Sequence, residues 1–147
     1  MPGRRGKFFR QVVYCYKTNN VFVSSFFGGN PRRIVDYWFS GKLILCVSRP
    51  ILKEYFEVLG RFQFDREDLF RRLMTSFEKG LNILFVDNPK EQNWIEDDPE
   101  DNKFIACAIS LHAEYIVSGD PHLKRAGKIG GVEIVPPREM LGLIETG

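Results

Sequence analysis

The sequence predicts an α/β domain with a mainly parallel sheet, and two observations predict it. Short apolar runs of strand length alternate with longer segments whose apolar residues recur at helical spacing. Leu43 to Val47 is continuously apolar, which suits a strand covered by helices on both faces better than one with a wet side. Length sets the scale. A chain of 147 residues, 44% hydrophobic and 27% charged, makes one globular domain over 1–147, with its core over about 11–140 and a basic arm over 1–10.

The elements follow in order. Gln11 to Tyr16, rich in Val and Tyr, reads as the first strand, and Val21 to Phe27 stays apolar until Gly28, Gly29 and Asn30 break the run. Asn30-Pro31 is an N-cap and first-turn pair, so a helix runs to about Phe39 with Ile34, Val35 and Trp38 on one face and Gly41 as its stop. After the strand Leu43 to Val47, Ser48 caps a second helix with Pro50 in its first turn and a stripe of Ile51, Leu52, Tyr55, Phe56 and Leu59. Asp65 opens a third helix over Leu69, Phe70, Leu73, Met74 and Phe77, and Gly80 ends it. Ile83 to Val86 is a short strand. A fourth helix spans about Asp101 to Ala113, Tyr115 to Val117 is a strand closed by Ser118, Gly119 and Asp120, and Val132 to Val135 is the last strand. Pro136 and Pro137 lead into a C-terminal helix.

Composition excludes several classes. No apolar run approaches the ~18 residues of a membrane helix, and no apolar stretch follows the basic N-terminus to make it a secretory signal. Cys15, Cys46 and Cys107 lie far apart in apolar surroundings, so they read as core residues in a reducing cytoplasm. His112 and His122 are the only histidines, too few for a multi-histidine metal site. Gly28-Gly29 lacks the lysine of a phosphate loop and the spacing of a dinucleotide fingerprint.

Charge is segregated. Residues 1–35 carry seven Lys/Arg and no acid, whereas 91–101 carry six acids and no base. A basic surface beside an acidic spot suits a nucleic-acid substrate, although two solvated loops would read the same way. In a parallel sheet, ligands gather at the carboxyl ends of the strands. That directs attention to 17–20, to the acidic loop, and to Gly119-Asp120. Asp120 there is either a rim carboxylate or a turn residue, and Asp101 either a metal-facing acid or a helix cap. Glu54 falls on the edge of the apolar arc of the second helix, about 40° from Val58. A carboxylate at that margin is costly unless it is paired or metal-bound. Three acids from three elements suit one hard cation with oxygen ligands, such as magnesium or manganese.

These stretches also resemble a known family. N-V-F-V-S-S (Asn20 to Ser25), P-R-R-I-V-D-Y-W (Pro31 to Trp38), L-C-V-S-R-P-I-L-K-E-Y-F-E-V-L-G-R (Leu45 to Arg61), D-P-E-D-N-K-F-I-A-C-A (Asp98 to Ala108) and A-E-Y-I-V-S-G-D-P-H-L (Ala113 to Leu123) are similar to the PIN (PilT N-terminus) domain, in the branch of toxin components of toxin–antitoxin pairs. The resemblance implies a three-layer α/β/α fold and a Mg2+- or Mn2+-dependent ribonuclease. It implies Glu54, Asp101 and Asp120 as catalytic metal-holding acids, with Asp98 as a further metal-site acid. Ser118 takes the place of the small hydroxyl before the last acid, and Asn20 that of an asparagine bracing the first. One departure stands out. The family's first strand normally ends in an aspartate before Thr-Asn-Val, and here Y-K-T-N-N-V places the neutral Thr18 there, beside Asn19. Neither can supply a carboxylate's charge.

Two functions therefore stand as expectations: a metal-dependent endoribonuclease, or a degenerate PIN domain that binds RNA or a protein without cutting. Arg32 and Arg33, in a helix's first turn where the macrodipole disfavours cations, are candidate RNA contacts. The expected partners are RNA, a cognate antitoxin and a second copy of the chain. The thirteen Phe residues exceed what one small core readily hides.

Overall fold

The structure is a computed structural model and describes residues 12–16, 28–61 and 67–146. The chain order is β1 (Val12–Tyr16), α1 (Gly29–Phe39), β2 (Leu43–Ser48), α2 (Arg49–Arg61), α3 (Glu67–Lys79) and β3 (Ile83–Val86). A 3-10 turn (Pro99–Asp101) then leads into α4 (Asn102–Ser110), followed by β4 (Tyr115–Val117), α5 (Pro121–Ala126), β5 (Lys128–Ile129), β6 (Val132–Val135) and α6 (Pro137–Thr146). The strands form one sheet in the order β3-β2-β1-β4-β6-β5. All neighbours are parallel except β5 and β6.

This order makes the site's position a matter of topology. From β1 the chain steps outward through β2 to β3, then returns past β1 to lay down β4 on its other side. Connections thus leave β1 and β4 in opposite directions, and a crevice opens at their carboxyl ends. The helices cover the sheet on both faces, giving the α/β/α fold. β2 is buried over nearly its whole length, as its unbroken apolar run requires. Trp38, Tyr55, Phe104 and Leu73 are fully buried. Phe77 of α3 packs its ring against Trp38 of α1 and Tyr55 of α2, at 5.3 and 5.8 Å between centroids. Trp38 is therefore a core residue, as its place on the apolar face predicts.

Two expectations shift. The fourth helix is shorter than 101–113, because its first residues form the 3-10 turn and His112, at φ 56°, turns the chain out of it. The helix α5 and the strand β5, which pairs with the predicted last strand β6 in a hairpin, are additional to the predicted elements. Their signal was Ile129-Gly130-Gly131-Val132, a two-glycine step between apolar residues. Both glycines have positive φ, 56° and 85°, as a tight hairpin turn demands. The expected strand residue Gln11, the apolar run at 21–27 and the opening of α3 at Asp65 lie outside the described residues.

Candidate metal centre

Asp98, Asp101 and Asp120 come together at the crevice. One carboxylate oxygen from each lies within 4.8 Å of the others. Asp98 arrives just before the 3-10 turn, Asp101 at its end, and Asp120 on the loop after β4. Asp101 is 2% exposed, and its backbone N–H donates to the Asp98 carbonyl at 3.0 Å. Residues around the acids hold them there. The buried Asn102 accepts a hydrogen bond from Ile95 N–H at 2.9 Å, which ties the acidic loop to the start of α4. The buried Ser118 hydroxyl accepts from Asp120 N–H at 3.0 Å and fixes the turn that presents this last acid.

Helix capping was the alternative for these acids, and the structure removes part of it. Asp98 precedes the 3-10 turn and Asp101 precedes α4, yet neither side chain makes the capping hydrogen bond. Three convergent carboxylates, two of which make no capping bond, are a donor set suited to a hard divalent cation. The set fits Mg2+ or Mn2+ by ligand type.

Glu54 does not join this group. It reaches toward the start of α4, but its Oε1 lies 2.6 Å from Lys103 Nζ, with the two side chains 21% and 13% exposed. Lys103 Nζ also lies 3.3 Å from Glu100 Oε2. Burial pulls the Lys103 pKa down. The hydrogen bonds and negative charges of Glu54 and Glu100 outweigh it and hold the value above the usual 10.5. A cleft of about 400 Å3 beside this pair is lined by Lys53, Glu54, Glu57 and Arg61 from α2, and by Glu100 and Lys103. Lys103 was not among the residues singled out from sequence. Its signal was its position three residues after Glu100, one turn along α4.

The remaining candidates fall elsewhere. Thr18, Asn19 and Asn20 lie outside the described residues. Arg32 pairs with Asp36 one turn along α1 at 3.2 Å. Arg33 pairs with Glu145 of α6, whose carboxylate also accepts from the Tyr37 hydroxyl at 2.8 Å. Both arginines therefore have partners that account for their place in the helix. His112 occupies the left-handed position just past α4. The side chain of His122 is outside what the structure describes. Cys46 and Cys107 are buried and outside any disulfide, as expected of core cysteines.

Fold and site together define an α/β domain with a carboxylate centre at the switch point of a parallel sheet. The chain belongs to the PIN domain family, whose model matches residues 19–122, more than half of its length. PIN domains are in general metal-dependent nucleases, and this places the acidic group in a nuclease family. A crystal structure of PAE2754 from Pyrobaculum aerophilum shares the fold at a TM-score of 0.59 and 12% identity, covering 99% of this chain and 100% of that one. No curated protein matches. Among the described residues no helix is long and apolar enough to cross a membrane.

Proposed function

We propose that this protein is a metal-dependent endoribonuclease of the PIN toxin type, working in the cytoplasm and hydrolysing RNA phosphodiesters. The observation that carries the reading is the convergence of Asp98, Asp101 and Asp120 within 4.8 Å at the carboxyl end of the sheet. These three acids would hold Mg2+ or Mn2+. When bound, such an ion lowers the pKa of a coordinated water and offsets the charge that develops on the phosphate. The protein's own share is positional. Asn102 and Ser118 fix the backbone that carries the acids, and the buried Asp101 keeps one carboxylate out of bulk water. The basic residues of 1–35 would attract the RNA backbone toward the acidic centre. A cognate antitoxin covering this centre, and a second copy of the chain, belong to the same reading.

The test is a Mn2+ titration by calorimetry on the wild type and on Asp101→Asn, followed by cleavage of a single-stranded RNA. The expected result is binding that Asp101→Asn reduces at least tenfold, with metal-dependent cleavage that falls in parallel. Absence of binding at millimolar metal would defeat the reading.

One observation favours a second reading, a PIN domain that binds RNA or a protein without cutting. The acid expected after β1 is replaced by the neutral Thr18. Thr18→Asp separates the two. Higher metal affinity or cleavage in that variant supports a nuclease site short of one ligand. No gain in either counts against the alignment that puts Thr18 at that position.

A further inference from the structure

We propose that Lys103 is a built-in cation that competes with the bound metal for Glu54, and so limits how tightly the acidic centre holds its ion. The proposal rests on the metal-centre reading above and concerns how that same centre is regulated.

Three observations point to it. First, α2 and α4 pack together, and this brings Glu54 to within 2.6 Å of an ammonium instead of into the carboxylate group. Second, Lys103 lies two residues after Asp101. The 3-10 turn and the first turn of α4 therefore carry both the buried acid of the centre and the cation beside it. Third, the pair is largely shielded, at 13% and 21% exposure, so the attraction is much stronger than for two charges in open water. Glu100, which precedes Asp101, contributes a second carboxylate to the same ammonium at 3.3 Å.

The chemistry follows from charge. An ammonium at this distance takes up much of the Glu54 charge through Oε1 and makes that carboxylate a poorer ligand for a divalent ion. Its own positive charge, two residues along the chain from Asp101, repels a second cation. Lys103 thus weakens one anionic ligand and adds one like charge, and both effects weaken metal binding. The centre would then be tightened by anything that draws Lys103 away, such as an RNA phosphate that takes its hydrogen bonds. In that case metal and substrate would bind cooperatively.

The experiment is a double-mutant cycle on the full chain, read by Mn2+ calorimetry with melting curves of the metal-free proteins as controls. Lys103→Met should bind Mn2+ about tenfold more tightly than wild type. Glu54→Gln should cost roughly threefold or less with Lys103 present, and tenfold or more in the Lys103→Met background. Lys103→Arg, which keeps the charge, should behave as wild type. Should Lys103→Met not fold, Lys103→Gln carries the same expectation. Unchanged or weaker binding after removal of the lysine charge overturns the proposal and makes Lys103 an organiser of Glu54. An equal cost of Glu54→Gln in both backgrounds overturns it too. Failure of the underlying reading looks different: Mn2+ binding that Asp101→Asn leaves untouched, or no binding in any variant, removes the centre itself.

Discussion

Asp101 stands where an aspartate is expected to cap a helix, and its side chain does not do so. It is buried instead and meets Asp98 and Asp120, a pairing of like charges that is costly without a cation between them. His112 shows local strain of another kind. It occupies the left-handed position after α4, where its N–H donates to the Ile109 carbonyl at 3.2 Å and the next N–H, of Ala113, to Ala108 at 2.8 Å. A β-carbon makes that conformation unfavourable by about 1 kcal/mol, so His112→Gly should raise stability by that order, measured by urea unfolding. An unchanged midpoint would mean that the imidazole contributes as much as the strain removes. Tyr37 gives a pH dependence. Its hydrogen bond to Glu145, partial burial and the carboxylate's charge raise the phenol above the usual 10.0, against the pull of Arg33. The folded value exceeds the unfolded one. The contribution is therefore complete below about pH 10 and is lost as pH rises through the folded value. Melting temperatures of Tyr37→Phe should lack that alkaline component, and an identical alkaline fall in both proteins would refute the assignment.

At the level of elements, three helices end in one way. After α1, α3 and α4 the chain turns through a left-handed residue, Gly41, Gly80 or His112, and paired N–H groups reach back to the last helical carbonyls. Two of these stops were legible because glycine announces them. The third was not, because histidine carries no such signal, and the helix was read too long. The β5–β6 hairpin depends on Gly130. Its φ is 56°, and a β-carbon there would lie 2.7 Å from Ile109 Cδ1. Gly130→Ala should destabilise the fold by about 1–3 kcal/mol in chemical unfolding. Pairing it with Ile109→Ala should recover the steric share and leave the conformational one. The link between α1 and the turn before β3 is also tertiary. Trp38 Nε1 donates to the Asn82 carbonyl at 3.1 Å, and Asn82 Nδ2 donates back to the Trp38 carbonyl at 2.9 Å. Trp38→Ala loses the packing and the Nε1 hydrogen bond, while the backbone carbonyl at position 38 still accepts from Asn82, and a loss of about 3–5 kcal/mol is expected by the same method.

For the whole molecule, the metal reading has a thermodynamic consequence. An ion that binds only the folded chain stabilises it by about 2.7 kcal/mol at one hundred times its dissociation constant. Mn2+ should therefore raise the melting temperature of the wild type and leave that of Asp101→Asn nearly still. Equal shifts in both would place the ion elsewhere. The edge strand β3 leaves Leu84 and Phe85 exposed, 41% and 52%, with Leu81 beside them. Natural edges of this kind are usually charged or covered. The proposed dimer should bury this strip, and light scattering of the wild type against Phe85→Lys tests it. The expected result is a dimer that the lysine dissociates.

Sequence alone determined the class of fold, the strands β2, β3, β4 and β6, and the residue types of the site. Continuous apolar runs, helical stripes and acids at strand ends are local patterns, and local patterns survive in a linear string. What only the tertiary structure decided is which charges meet. Asp98 and Asp101 lie some twenty residues from Asp120, and the sheet's switch point brings them within 4.8 Å. The helical wheel left Glu54 either paired or metal-bound, and the family resemblance put it with those acids. The packing of α2 against α4 gave it Lys103 instead, because a wheel records which face a residue occupies and not what stands opposite. Arg32 and Arg33 illustrate the same limit. Their first-turn placement suggested a ligand, and the fold gives each a carboxylate partner, Asp36 one turn along and Glu145 more than a hundred residues away.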